Sequence, residues 1–192
     1  MGVRGIEQTM ISRRTICILF ISLVLTATLG CVAQENTTSL SVPTKNLPEG
    51  FKLAAVETKF TQGVNMTDEI KDFYGAKDIG EVNATVGRYW WGDPGSTYVS
   101  KITLISTSDE AHAQAAMSNY LSQSDFQTPP YRGIPRFSYA IVNGHNTTEI
   151  RDAVEDNALR YLYLWNRENI VVLVEGNGDR SMSLELASAT GL

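Results

Sequence analysis

A chain of 192 residues with two histidines and two cysteines has few ways to build a reactive centre. His112 and His145 are far apart in sequence, with no His-x-x-x-His pair and no His–Cys cluster, so the ligand spacing of a zinc site is missing and no metal is expected. His112 falls off the apolar stripe of its helix and His145 in a turn, and both read as solvated side chains. No Gly-x-Ser-x-Gly elbow offers a nucleophilic serine. Gly176-Asn177-Gly178-Asp179 has the composition of an ion or phosphate loop. It lacks the alternating acids and distal glutamate of a calcium loop and is too short for a Walker loop, so it reads as a strand-to-helix turn. Glu81, Asp93 and Glu175 are the acids near predicted strand ends. Two of them within about 10 Å would suit an exported hydrolase working by paired carboxylates. No cofactor is implied.

Binding chemistry is better represented. Tyr89-Trp90-Trp91 faces Tyr98 across a predicted turn. Adjacent strand residues point to opposite faces, so one of Trp90 and Trp91 is expected at the surface, where a ring can stack on a sugar or a partner chain. The plainer reading is a ring covered by a loop. Four Asn-x-Ser/Thr sequons, at Asn36, Asn65, Asn83 and Asn146, are glycosylation candidates in an exported chain. Tyr161, Tyr163 and Trp165 would line a pocket for a small apolar or sugar ligand if their space were not filled by core.

The N-terminal stretch says where this chemistry would operate. Arg13-Arg14 precedes an apolar run from Ile16 to Leu25, and small residues follow up to Gly30-Cys31. That is the order of an export signal, on residues 1–30, with Met1 or Met10 as the start. The apolar run is about half of what a spanning helix needs. Its end resembles the lipobox of exported lipoproteins, with Gly30 before Cys31 and Leu29 one place later than in the usual pattern. The resemblance implies a lipid on Cys31. The arginine pair also resembles a twin-arginine signal. Cys17 would leave with the leader, so a lipidated Cys31 accounts for the one cysteine that remains. Residues 31–50, rich in Ser and Thr with Pro43 and Pro48, are expected to form a flexible tether.

Residues 51–192 form the expected single domain. Strands are predicted at Phe51–Thr58, 81–91, 98–106, Phe137–Val142, 159–165 and Ile170–Glu175. Thr67-Asp68-Glu69-Ile70 opens a short helix that Thr67 can cap. A longer one follows a Thr107–Glu110 capping box and carries Ala113, Ala116, Met117, Tyr120 and Leu121 on one stripe. Asp179 caps a last helix with Met182, Leu186 and Ala189. The polar stretch from His145 to Asn157 is expected as loop or short helix. Hairpins separated by helices predict an α+β fold, an antiparallel sheet with about two helices packed on one face. The element order is similar to that of PsbP-like sandwich domains, which are binding modules.

A net charge of −5 argues against nucleic-acid partners. Leader, tether and sequons together resemble the small surface lipoproteins of methanogenic archaea. The expected protein is a non-enzymatic lipoprotein on the outer face of the cytoplasmic membrane, a binding or structural module whose partner is an envelope protein or glycan. A small-ligand binding protein and the carboxylate hydrolase are the alternatives.

Overall fold

Beginning at Phe51, seven strands pair into one antiparallel sheet in the order β1-β2-β3-β7-β6-β5-β4. The computed structural model describes residues 40–92, 99–154 and 158–192. The leader, Cys31, Asn36, Asp93, Tyr98 and the turn around them lie outside the described residues. The strands are β1 (Phe51–Thr58), β2 (Asn83–Trp91), β3 (Val99–Ser106), β4 (Phe137–Val142), β5 (His145–Ala153), β6 (Leu159–Arg167) and β7 (Ile170–Glu175). The helices are α1 (Met66–Glu69), a single turn, α2 (Glu110–Leu121) and α3 (Arg180–Ser188). The antiparallel α+β architecture is the one the hairpin pattern predicts.

The helices, however, do not share a face. Ala113, Ala116 and Tyr120 of α2 pack with Ile70, Phe73 and Phe126 over Ile105, Leu162, Leu164, Val171 and Leu173. Leu186 and Ala187 of α3 pack with Val42 over Leu104, Tyr163, Trp165, Val172 and Val174. The reason is in the central strands. In β7 every residue from Ile170 to Val174 is buried, so both faces of the sheet need cover. A one-faced arrangement would leave one of these rows in water.

Three local expectations change as well. Residues 145–153 are a strand, not a loop, because Asn143 and Gly144 both take positive φ (49° and 85°) and close a two-residue hairpin turn between β4 and β5. Asp109, not Thr107, caps α2, its Oδ1 accepting the His112 N–H at 2.9 Å. The Thr107 hydroxyl instead lies against the carbonyls of Asp109 (2.7 Å) and Asn169 (3.0 Å). Asn65 caps α1 in place of Thr67. Asp179 does cap α3, accepting from Ser181 and Met182. The packing of the domain also reaches back into the expected tether: Val42 is buried, Leu40 and Leu47 pack beside it, and the Tyr89 hydroxyl donates to the Pro43 carbonyl at 2.9 Å.

Candidate functional site

Among the described residues β4 is an edge strand, paired only with β5. Its side chains alternate. Val142 is buried and Ala140 packs partly against the α3 face, whereas Phe137, Tyr139 and Ile141 point to the α2 face. There α2 stops short of covering them, and they are 39%, 86% and 71% exposed. Uncovered aromatic and aliphatic side chains in one row form a patch, which is a different matter from scattered exposed hydrophobics.

The row continues into a groove. Gln114, Met117, Ser118 and Leu121 of α2 and Ser122 just after it form one wall, with Phe137, Gln127 and Asn166 completing an open space of about 510 Å³. A smaller hollow of about 200 Å³ adjoins it between Leu121, Phe137, Tyr139 and Thr148. Phe137 is held in place by Phe126, edge to face at 6.2 Å between centroids, and Phe126 in turn leans on Tyr120. The lining offers thioether, aliphatic and aromatic surface with a few amides and hydroxyls, which suits contact and orientation of a partner.

The main chain of β4 adds directionality. A two-residue turn closes on a hydrogen-bonded pair, here Val142 and His145. Counting back in twos, Ala140, Ser138 and Arg136 also direct their N–H and C=O toward β5. The Arg151 N–H bonded to the Arg136 carbonyl at 2.8 Å fixes that phase. Phe137, Tyr139 and Ile141 therefore direct their N–H and C=O away from the sheet, and β4 carries no charged side chain. Natural edges are commonly blunted by charge, proline or a bulge, none of which occurs within these six residues.

Beneath this edge lies a buried carboxylate. The Glu149 side chain is fully buried on β5. Its Oε1 accepts from Ser138 Oγ (2.8 Å) and the Arg151 guanidinium (2.9 Å), and its Oε2 accepts from Arg180 Nε (2.7 Å). Burial pushes this carboxyl up, but the hydrogen bonds from Arg180 and Ser138 and the Arg180 charge outweigh it and hold the group below its usual range. The cluster ties the start of α3 to β4 and β5, so the edge strand stands on a rigid support.

The residues singled out in sequence are dispersed. The register puts Glu81 beyond the Asn83–Ser106–Ile170 end of the sheet and Glu175 at the Arg88–Lys101 end, about 17 Å away along the strands. Glu175 is engaged by Lys101 (2.6 Å) and Arg160 (3.8 Å). Tyr163 and Trp165 are core, 0% and 1% exposed, with Tyr161 packed beside them. Trp90 is half-buried, and the exposed side of the aromatic pair is Trp91, whose Nε1 lies against Gly50. His112 Nδ1 sits 2.8 Å from Asp109 and 2.9 Å from Ser108. Asn65 is occupied as a cap, Asn83 accepts from Lys59 at 3.0 Å, and Asn146 is exposed directly opposite Ile141. Among the described residues no group of three or more His, Cys, Asp or Glu is poised for a metal, and no helix is long and apolar enough to cross a membrane. The β4 edge is not among the sites the sequence singles out, although Phe137, Tyr139 and Ile141 alternate visibly before Asn143-Gly144. No known protein family, curated protein or solved structure matches the chain.

Proposed function

We propose that this chain is a membrane-anchored docking module of the cell envelope. Cys31 carries the lipid that holds it on the outer face of the cytoplasmic membrane, and the domain binds an extended polypeptide strand along β4. The lipobox-like Gly30-Cys31 supports the anchor. One observation carries the docking half: the exposed row Phe137–Tyr139–Ile141 lies on the same residues whose main-chain donors and acceptors face outward. An added strand would gain main-chain hydrogen bonds from the edge and side-chain contacts from the row and the Met117–Leu121 groove.

Two measurements test this. The intact mass of the membrane-extracted protein should show a mature chain beginning at a lipid-modified Cys31, and Cys31→Ala should release it from membranes. A mature chain that begins elsewhere without lipid overturns the anchor. A photo-reactive amino acid replacing Tyr139 in the full chain should then give a covalent protein adduct in native membranes. The same probe replacing the exposed β1 residue Ala54 should not. No adduct at 139, or equal adducts at both positions, overturns the docking face.

A further inference from the structure

We infer that the strand received by β4 is β4 of a second copy, the two edges joining antiparallel about a two-fold axis at Tyr139. This rests on the docking reading above and names its partner.

The symmetry of the edge supports it. The free stretch is bounded by Pro135 on one side and by the Asn143–Gly144 turn on the other, so it covers 136–142 and its midpoint is Tyr139. A two-fold there sets Tyr139 against its own counterpart, and Phe137 against Ile141 of the other copy. All three outward-facing residues then fall in hydrogen-bonded pairs, and all three side chains fall on one face. On the opposite face Ser138 meets Ala140, two small residues that do not clash. Moving the axis to Ala140 would place Phe137 against Asn143, whose positive φ takes it out of strand geometry. Moving it to Ser138 would place Ile141 against Pro135, which has no N–H to give. An uncharged strand also has no electrostatic means of choosing a foreign partner over itself.

The area indicates how such a pair would be used. With about 200 Å² per large side chain, the exposed fractions of the three residues amount to roughly 400 Å² per copy. A stable interface in solution buries about 800 Å² per partner. The pairing is therefore weak between free domains and gains from two copies sharing one membrane, which raises their effective concentration toward the millimolar range.

The test uses the full chain in native membranes, with a photo-reactive residue replacing Ile141. An adduct of twice the chain's mass is expected. Tyr139→Lys or Tyr139→Glu alone places like charges on the axis, removes the Tyr–Tyr pair and should lower that adduct at least about twofold. Tyr139 is 86% exposed, so both variants should fold, with circular dichroism as the control. Co-expressing the two variants places opposite charges on the axis and should raise the adduct at least about threefold over either alone. A double-mass adduct that ignores charge at 139, or a mixture no better than the single variants, overturns the self-pairing. An adduct of any other mass also overturns it while leaving the docking reading intact. No adduct at either 139 or 141 removes both.

Discussion

Replacing Glu149 by Gln keeps the shape of the side chain and removes its charge. The oxygen that remains can serve Ser138 and Arg151, or Arg180, but not both sides. The new amide N–H₂ then faces a guanidinium, donor against donor. Charge-assisted hydrogen bonds contribute about 1.5–3 kcal/mol each when both partners are buried. Arg151 is 20% exposed and keeps most of that value. Arg180 is 51% exposed and water replaces much of what it loses, so its share is discounted to below about 1 kcal/mol. The expected loss is about 2–3 kcal/mol. For a domain of this size that corresponds to a fall of roughly 5–10 °C in Tm at pH 7, read by thermal circular dichroism. The sign with pH is also fixed. The Glu149 carboxyl is held below its unfolded range, so its contribution is complete above about pH 5 and is lost as pH falls through the folded-state pKa. The gap between the parent protein and the variant should therefore narrow between pH 6 and pH 3. A Tm within about 1 °C of the parent at pH 7, or a gap that stays constant down to pH 3, would refute the reasoning.

Gly176→Ala should cost at least about 2 kcal/mol in urea unfolding, because an added Cβ would collide with the Ser183 side chain and come within 2.8 Å of the Tyr161 carbonyl. Asn119→Ala removes the bonds that fasten the chain between Phe73 and Lys77 to α2, at 2.8–3.1 Å, and should cost about 2 kcal/mol. Amide exchange should speed up at Lys77 while β7 stays protected. Glu168→Gly should raise stability by roughly 0.5–1 kcal/mol in the same urea assay, since Glu168 turns the β6–β7 hairpin with φ at 53° and its side chain makes no hydrogen bond or ion pair among the described residues.

Much of the sheet is legible in the sequence where alternation or a turn dipeptide carries the information. Ile170 to Val174 is apolar without a break and becomes the most buried strand. Asp179 stands before an amphipathic run and caps it. The misread strand is β5, and the reason is physical. Two of its inward positions, Thr147 and Glu149, are polar and completely buried, so the hydrophobic pattern that marks a strand is erased. What makes a buried Glu149 tolerable is the set of Ser138, Arg151 and Arg180 around it, and the last, thirty-one positions away, is beyond any local window. The helix placement was within reach, since Leu162 and Leu164 alternate with Tyr161, Tyr163 and Trp165 and both rows need a lid. The candidate site was harder to foresee. An exposed Tyr139 and a buried Tyr163 look alike until the sheet order shows which strand lies at the edge.

That order also has a consequence for how the chain finds its shape. Five of the six strand ladders join neighbours in sequence, giving a three-strand meander from β1 to β3 and a four-strand meander from β4 to β7. Each can assemble from nearby contacts, at small cost in loop entropy. The seam between β3 and β7 is different. It opens at Thr107 and Asn169, sixty-two residues apart, and it alone turns two meanders into one sheet. Of the six ladders this seam closes the longest loop and so carries the largest loop entropy, and α2, which leaves β3 only to lie across β6 and β7, straps it.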